Sequence, residues 1–125
     1  MATIHANTPR DALTRLENMI GMAGLNLPPK AARQQVSSAI SVIIQIARLS
    51  DGKRKLVSIQ EVTGMEGDVI TTQDIFIFKQ TGVAPDGKVV GHFAATGVRP
   101  KFTDRLLSFG IALPDRLFDP SKLYA

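Results

Sequence analysis

Chemistry in this chain would have to come from few groups. His5 and His92 are the two imidazoles, far apart in sequence. No His-x-x-x-His pair or carboxylate cluster has metal-ligand spacing, so no metal site is expected. Cysteine is absent, which excludes a thiolate zinc site, a cysteine nucleophile and a disulfide framework. Such a composition is compatible with a reducing compartment. A Ser-His-Asp triad is not excluded, but no Gly-x-Ser-x-Gly elbow points to one.

The run Gly82-Val83-Ala84-Pro85-Asp86-Gly87-Lys88-Val89 nearly matches Gly-x4-Gly-Lys-[Ser/Thr]. A phosphate loop needs backbone N–H groups around the phosphates and a hydroxyl on Mg²⁺. Val89 has no hydroxyl, Pro85 removes a donor, and Asp86 brings a carboxylate toward the phosphates. The run is therefore read as a hairpin turn.

His5 has two readings. It is a strand-end histidine satisfied by a backbone carbonyl, or a polar group offered toward a phosphate beside Asn7 and Thr8. The second follows from ligands sitting at the carboxyl ends of strands in open α/β sheets. Arg10 and Arg15 lie on the first helix; Arg15 is read as solvated or paired, with a neighbouring subunit's phosphate or carboxylate as the functional alternative. Arg48, inside an apolar strand, calls for a carboxylate or a sheet edge. Lys53-Arg54-Lys55 beside Asp51 reads as a solvated turn.

The positioning elements follow from local pattern. Residues 1–6 read as a short strand. Thr8-Pro9-Arg10-Asp11 starts a helix, with Thr8 as cap and Pro9 in the first turn. Leu13, Leu16 and Ile20 give it one buried face, and Gly24 ends it. A second helix runs from Lys30 to about Ile40. Ser41 to Leu49, rich in Val and Ile, reads as a buried strand. Asp51-Gly52 turns the chain into a strand over Lys55–Thr63. Gly64 to Asp68 forms a second turn before a strand over Val69–Lys79, apolar on both faces. Pro85-Asp86-Gly87 precedes a short strand, Lys88–Phe93. Pro100 starts a helix through Phe109, with Phe102, Leu106 and Phe109 on one side. The tail, Ile111–Ala125, contains Pro114 and Pro120 and should be irregular.

The 125 residues have the length of one domain. A compact monomer of this mass exposes roughly 6,500 Å², against roughly 20,000 Å² unfolded. Hydrophobic residues at 44% and charged ones at 21% exclude long disorder and low complexity. Fifteen basic and eleven acidic residues give a net charge of +4. With no Trp and one Tyr, a nucleic-acid binder is the weakest reading. Neither a signal peptide nor a membrane-spanning stretch is present, so the chain is expected to be soluble, without direct membrane insertion.

Met1-Ala-Thr-Ile-His-Ala-Asn-Thr-Pro-Arg-Asp-Ala-Leu-Thr-Arg-Leu-Glu17 resembles the histidine-box region of the type II/type IV secretion ATPase superfamily. Glu61-Val-Thr-Gly-Met-Glu-Gly-Asp-Val-Ile70, Gln73-Asp74-Ile75-Phe76 and Gly110-Ile-Ala-Leu-Pro114 narrow the resemblance to CpaF-type ATPases of tight-adherence (Flp) pilus assembly. It spans nearly the whole chain. It implies an α/β fold: the carboxyl-terminal portion of a RecA-like P-loop ATPase domain, with helices and a mostly antiparallel strand meander, lacking the P-loop half. Residues 1–125 would form one incomplete lobe, because the Walker A, Asp-box and Walker B segments precede this point in the family.

The resemblance further implies hexameric rings, ATP and Mg²⁺ as parent cofactors, and inner-membrane pilus or secretion platform proteins as partners. The parent's location would be cytoplasmic, peripheral at the inner-membrane face. His5 would have an auxiliary, phosphate-sensing role. Phosphoryl transfer depends on the P-loop lysine and Mg²⁺, so the chain alone should neither bind ATP tightly nor hydrolyse it. The alternative is a non-catalytic module that associates with full-length ATPase subunits. Hypothesis: missing neighbouring strands leave apolar faces bare, so the isolated chain is marginally stable and self-associates; a sharp monomer peak with cooperative unfolding would contradict this.

Overall fold

The computed structural model describes residues 3–24 and 27–124. Thr8 opens α1 (Pro9–Met22): its Oγ1 accepts the Asp11 N–H at 3.0 Å, and Pro9 sits where a missing N–H is harmless. Gly24, at φ +75°, follows the helix end. α2 (Pro29–Ala39) buries Ala32 and Val36. Ile40 is extended, so the chain passes straight into the sheet.

The sheet is an antiparallel meander in chain order: β1 (Val42–Arg48), β2 (Arg54–Glu66), β3 (Val69–Val83), β4 (Val89–Ala95) and β5 (Leu123–Tyr124). Short turns join β1 to β4 in order, since antiparallel neighbours need no crossover, and β5 returns beside β4 after residues 96–122. The α/β class and the antiparallel meander agree with expectation. α3 (Phe102–Ser108) and a 3₁₀ turn (Asp115–Phe118) complete the fold.

One face of the sheet carries α1 and α2. Leu13, Val36 and Ile70 form its buried centre, with Leu16, Ile20, Ile40, Ile43, Val62 and Met65 packed around them. The opposite face carries the row Ile44, Ile59, Phe76, set by the registers Ile44↔Ile59 and Ile59↔Phe76. Phe76 stacks on Phe93 at 5.9 Å and meets Phe118 and Tyr124 at 6.0 and 6.3 Å. The tail therefore covers the β3–β4 half of this face and leaves the β1 half bare. Ile44 and Ile46 are each 60% exposed.

Five readings need correction. The strand expected as buried over Ser41–Leu49 is β1, an edge strand with one face exposed. Residues 3–6 form no strand, and residues 1 and 2 lie outside the described residues. Side chains take the His5 and Ala6 carbonyls instead, as described below. Gly64 is not a turn residue: β2 continues to Glu66, and Gly64, at φ +139°, sits where the β2–β3 register shifts, a bulge. The turn is Gly67-Asp68, with glycine at the φ-positive first position that a tight hairpin requires. The tail is not irregular, because Phe118 and Tyr124 join the aromatic cluster and β5 pairs with Phe93 and Ala94. The last helix is shorter than expected, and Phe109 is 75% exposed rather than packed.

The chain exposes 8441 Å², well above the roughly 6,500 Å² of a compact monomer of this mass. No helix among the described residues is long and apolar enough to cross a membrane.

Candidate functional site

The segment ahead of α1 is held by two side chains. Arg15, nearly two turns into the helix, donates from its guanidinium to the His5 carbonyl at 2.9 Å. Gln45 of β1 donates to the Ala6 carbonyl at 3.2 Å. The segment is thereby fixed between the start of α1 and the edge strand, and the His5 side chain is exposed. Among the described residues the His5 imidazole makes no hydrogen bond to a backbone carbonyl. Asn7 is exposed beside it, while Thr8 is committed to the cap.

The Arg15 guanidinium reaches the His5 backbone, and both side chains are exposed. Both groups can donate hydrogen bonds to an anionic oxygen. Among the described residues no carboxylate is hydrogen-bonded or ion-paired to His5. No group of His, Asp and Glu suited to a metal exists among the described residues.

The remaining sequence candidates fall elsewhere. His92 is on β4 opposite Lys79, far down the sheet order from β1. Gly82–Val89 is a hairpin, closed by Gly87 N–H to the Ala84 carbonyl at 2.9 Å and Ala84 N–H to the Lys88 carbonyl at 2.8 Å. Arg10 donates to the Ile70 carbonyl at 2.7 Å, tying α1 to the start of β3. Arg48 ends the edge strand β1, as the sheet-edge alternative required.

Three contacts were not readable from spacing. Glu61 is 5% exposed, and its two oxygens accept the Lys101 and Phe102 N–H groups at 2.8 Å each. It thus closes the first turn of α3 from a strand, since Lys101 supplies no side-chain cap. Asp51 accepts from Lys53 N–H and from Val89 N–H, both at 3.0 Å, and ties the first hairpin to β4. These bonds, Val89's first, hold its carboxyl below the usual range. Arg33 bridges Glu17 at 3.0 Å and the Asp68 carbonyl at 3.1 Å, which raises its pKa through Glu17.

No protein-family model matches the chain. Two curated proteins of Mycobacterium tuberculosis do: "Putative conjugal transfer protein MT3759" of strain CDC 1551 / Oshkosh and "Putative conjugal transfer protein Rv3659c" of strain ATCC 25618 / H37Rv. Each is 33% identical over 67 residues. The match covers 54% of this chain and 18% of each relative, so the chain corresponds to a small part of their length.

Proposed function

We propose that this chain is the carboxyl-terminal lobe of a CpaF-like secretion ATPase. The parent would couple ATP hydrolysis to pilus assembly or to type II/IV secretion. The observation that carries the reading is the similarity to two conjugal transfer proteins, taken with the motifs at residues 1–17, 61–76 and 110–114. The large exposed surface supports it, because a lobe built to sit against further strands keeps bare apolar rows.

In this reading His5 is an auxiliary group that approaches the phosphate end of a nucleotide held by other parts of the ring. Arg15 is a positioning residue, acting through its bond to the His5 carbonyl. ATP and Mg²⁺ belong to the parent, which works at the cytoplasmic face of the inner membrane with platform proteins. The lobe alone does not turn over ATP.

Reading the DNA upstream of the Met1 codon tests this. An open frame encoding Gly-x4-Gly-Lys-[Ser/Thr] and an acidic strand supports the lobe. A close in-frame stop, with a ribosome-binding site before Met1, contradicts it. The bare β1 side favours a second reading, a non-catalytic module joining full-length ATPase subunits; co-purification with such subunits, without gain in turnover, would support it.

A further inference from the structure

Beyond β4 the chain leaves the sheet and is fastened back to it at two places. Thr96 is still held: its N–H donates to the Ile75 carbonyl at 3.0 Å and its hydroxyl to the Asp74 carbonyl at 2.6 Å. Gly97, at φ +94°, then turns the chain away. The first fastening is Pro100–Thr103. Pro100 and Thr103 are buried, and Glu61 accepts the Lys101 and Phe102 N–H groups. The second is Phe118, buried against Phe76, with Tyr124 beside it and β5 paired to Phe93 and Ala94. From Asp104 to Arg116, only Leu106 and Leu113 are not exposed. Leu107 and Phe109 are 61% and 75% exposed.

Neither fastening is sufficient alone. A helix of seven residues is too short to persist in water, and a strand of two residues supplies too few ladder bonds to hold a chain. Arg99 joins the two ends: it pairs with Asp115 and lies over the Phe118 ring at 5.9 Å. Lifting one end therefore removes support from the other. Glu61 has no other hydrogen-bond partner among the described residues, so its carboxylate must meet water when α3 leaves.

We infer that residues 97–124 form a strap that opens as one unit about Gly97 while β1 to β4 stay folded. Opening uncovers the stacked pair Phe76 and Phe93. Local opening of this kind belongs to segments with few buried apolar contacts. The inference rests on contacts within the chain and does not depend on the ATPase reading.

Amide hydrogen exchange of the full chain, in urea below its unfolding midpoint, tests the strap. The amides of Lys101, Phe102, Leu123 and Tyr124 should share one opening, faster than that of Ile75 and with a smaller urea dependence. Phe118→Ala should speed exchange at Lys101 and Phe102 by at least about a hundredfold, the scale of a truncated buried phenylalanine, although Phe118 bonds to neither amide. Glu61→Gln should speed the same two amides by about tenfold and carry Leu123 and Tyr124 with them. If Phe118→Ala does not fold, the urea dependence in the unaltered chain decides. Acceleration confined to residues 117–124 in Phe118→Ala overturns the inference. So does a urea dependence that differs between the two ends, or one that equals that of Ile75.

Discussion

β1 and β3 look alike as sequence and differ in what surrounds them. Val42-Ile-Ile-Gln-Ile and Ile75-Phe-Ile-Phe are both short apolar runs. Ile75 is fully buried in the middle strand of the sheet, with Phe76, Ile77 and Phe78 half-covered. Ile44 and Ile46 stay 60% exposed at the edge. Composition makes a strand sticky, but its neighbours decide whether that surface becomes core or interface. The helices cover one face of both strands, whereas the tail reaches only the far half of the other.

Truncation should separate the two strands most sharply. Ile75→Ala should cost about 2–5 kcal/mol, the range for buried isoleucine, whereas Ile44→Ala should stay within about 0.5 kcal/mol. Urea unfolding of both variants would measure it, and equal costs would mean that β1 is covered in solution. Next in size is the clasp between the halves. Glu61→Ala strands two N–H groups of α3 and should cost about 1–3 kcal/mol, with exchange rising first at Lys101 and Phe102. Gly91→Ala belongs beside it: a methyl there would run into the Lys79 carbonyl and the Phe78 ring, whereas Gly82 faces open space. Its melting temperature should fall while that of Gly82→Ala barely moves.

Smaller still is the Asp51 tether. Its folded pKa is lowered by the Val89 and Lys53 N–H groups. Its contribution is therefore complete above the unfolded carboxylate value near about 4 and fades as pH falls through the lower folded value. The gap in melting temperature between the parent chain and Asp51→Ala should be present at neutral pH and shrink toward zero in strong acid. A pH-independent gap would remove the charge from the argument. The smallest change concerns association: Ile44→Thr with Ile46→Thr should leave stability nearly constant while reducing any concentration-dependent self-association seen by sedimentation.

What the sequence made legible was local. Thr8 and Pro9 announce α1 because a cap is settled within four residues. Val89 and Pro85 dismiss a phosphate loop from their own chemistry. Arg48 called for a carboxylate or an edge, because an unpaired cation in an apolar strand has few other places to go. The unread features depend on distant partners. Glu61 reaches N–H groups 40 and 41 residues away, and nothing near it in sequence marks a buried carboxylate. β5 exists because β4 offers Phe93 and Ala94 a free side. Within the range 1–6 expected as a strand, Arg15 and Gln45 hold the His5 and Ala6 carbonyls instead. At the candidate site, His5 was legible as a type of residue. Its fixation by Arg15 was not, since neither reading of the arginine included a backbone carbonyl ten residues away.

The most direct test of the account is turnover by the purified chain with ATP and Mg²⁺, alongside His5→Ala. The proposed lobe reading predicts no hydrolysis above the blank in either protein. Mg²⁺-dependent hydrolysis that His5→Ala abolishes would contradict the reading of this chain as a lobe that needs the rest of its motor.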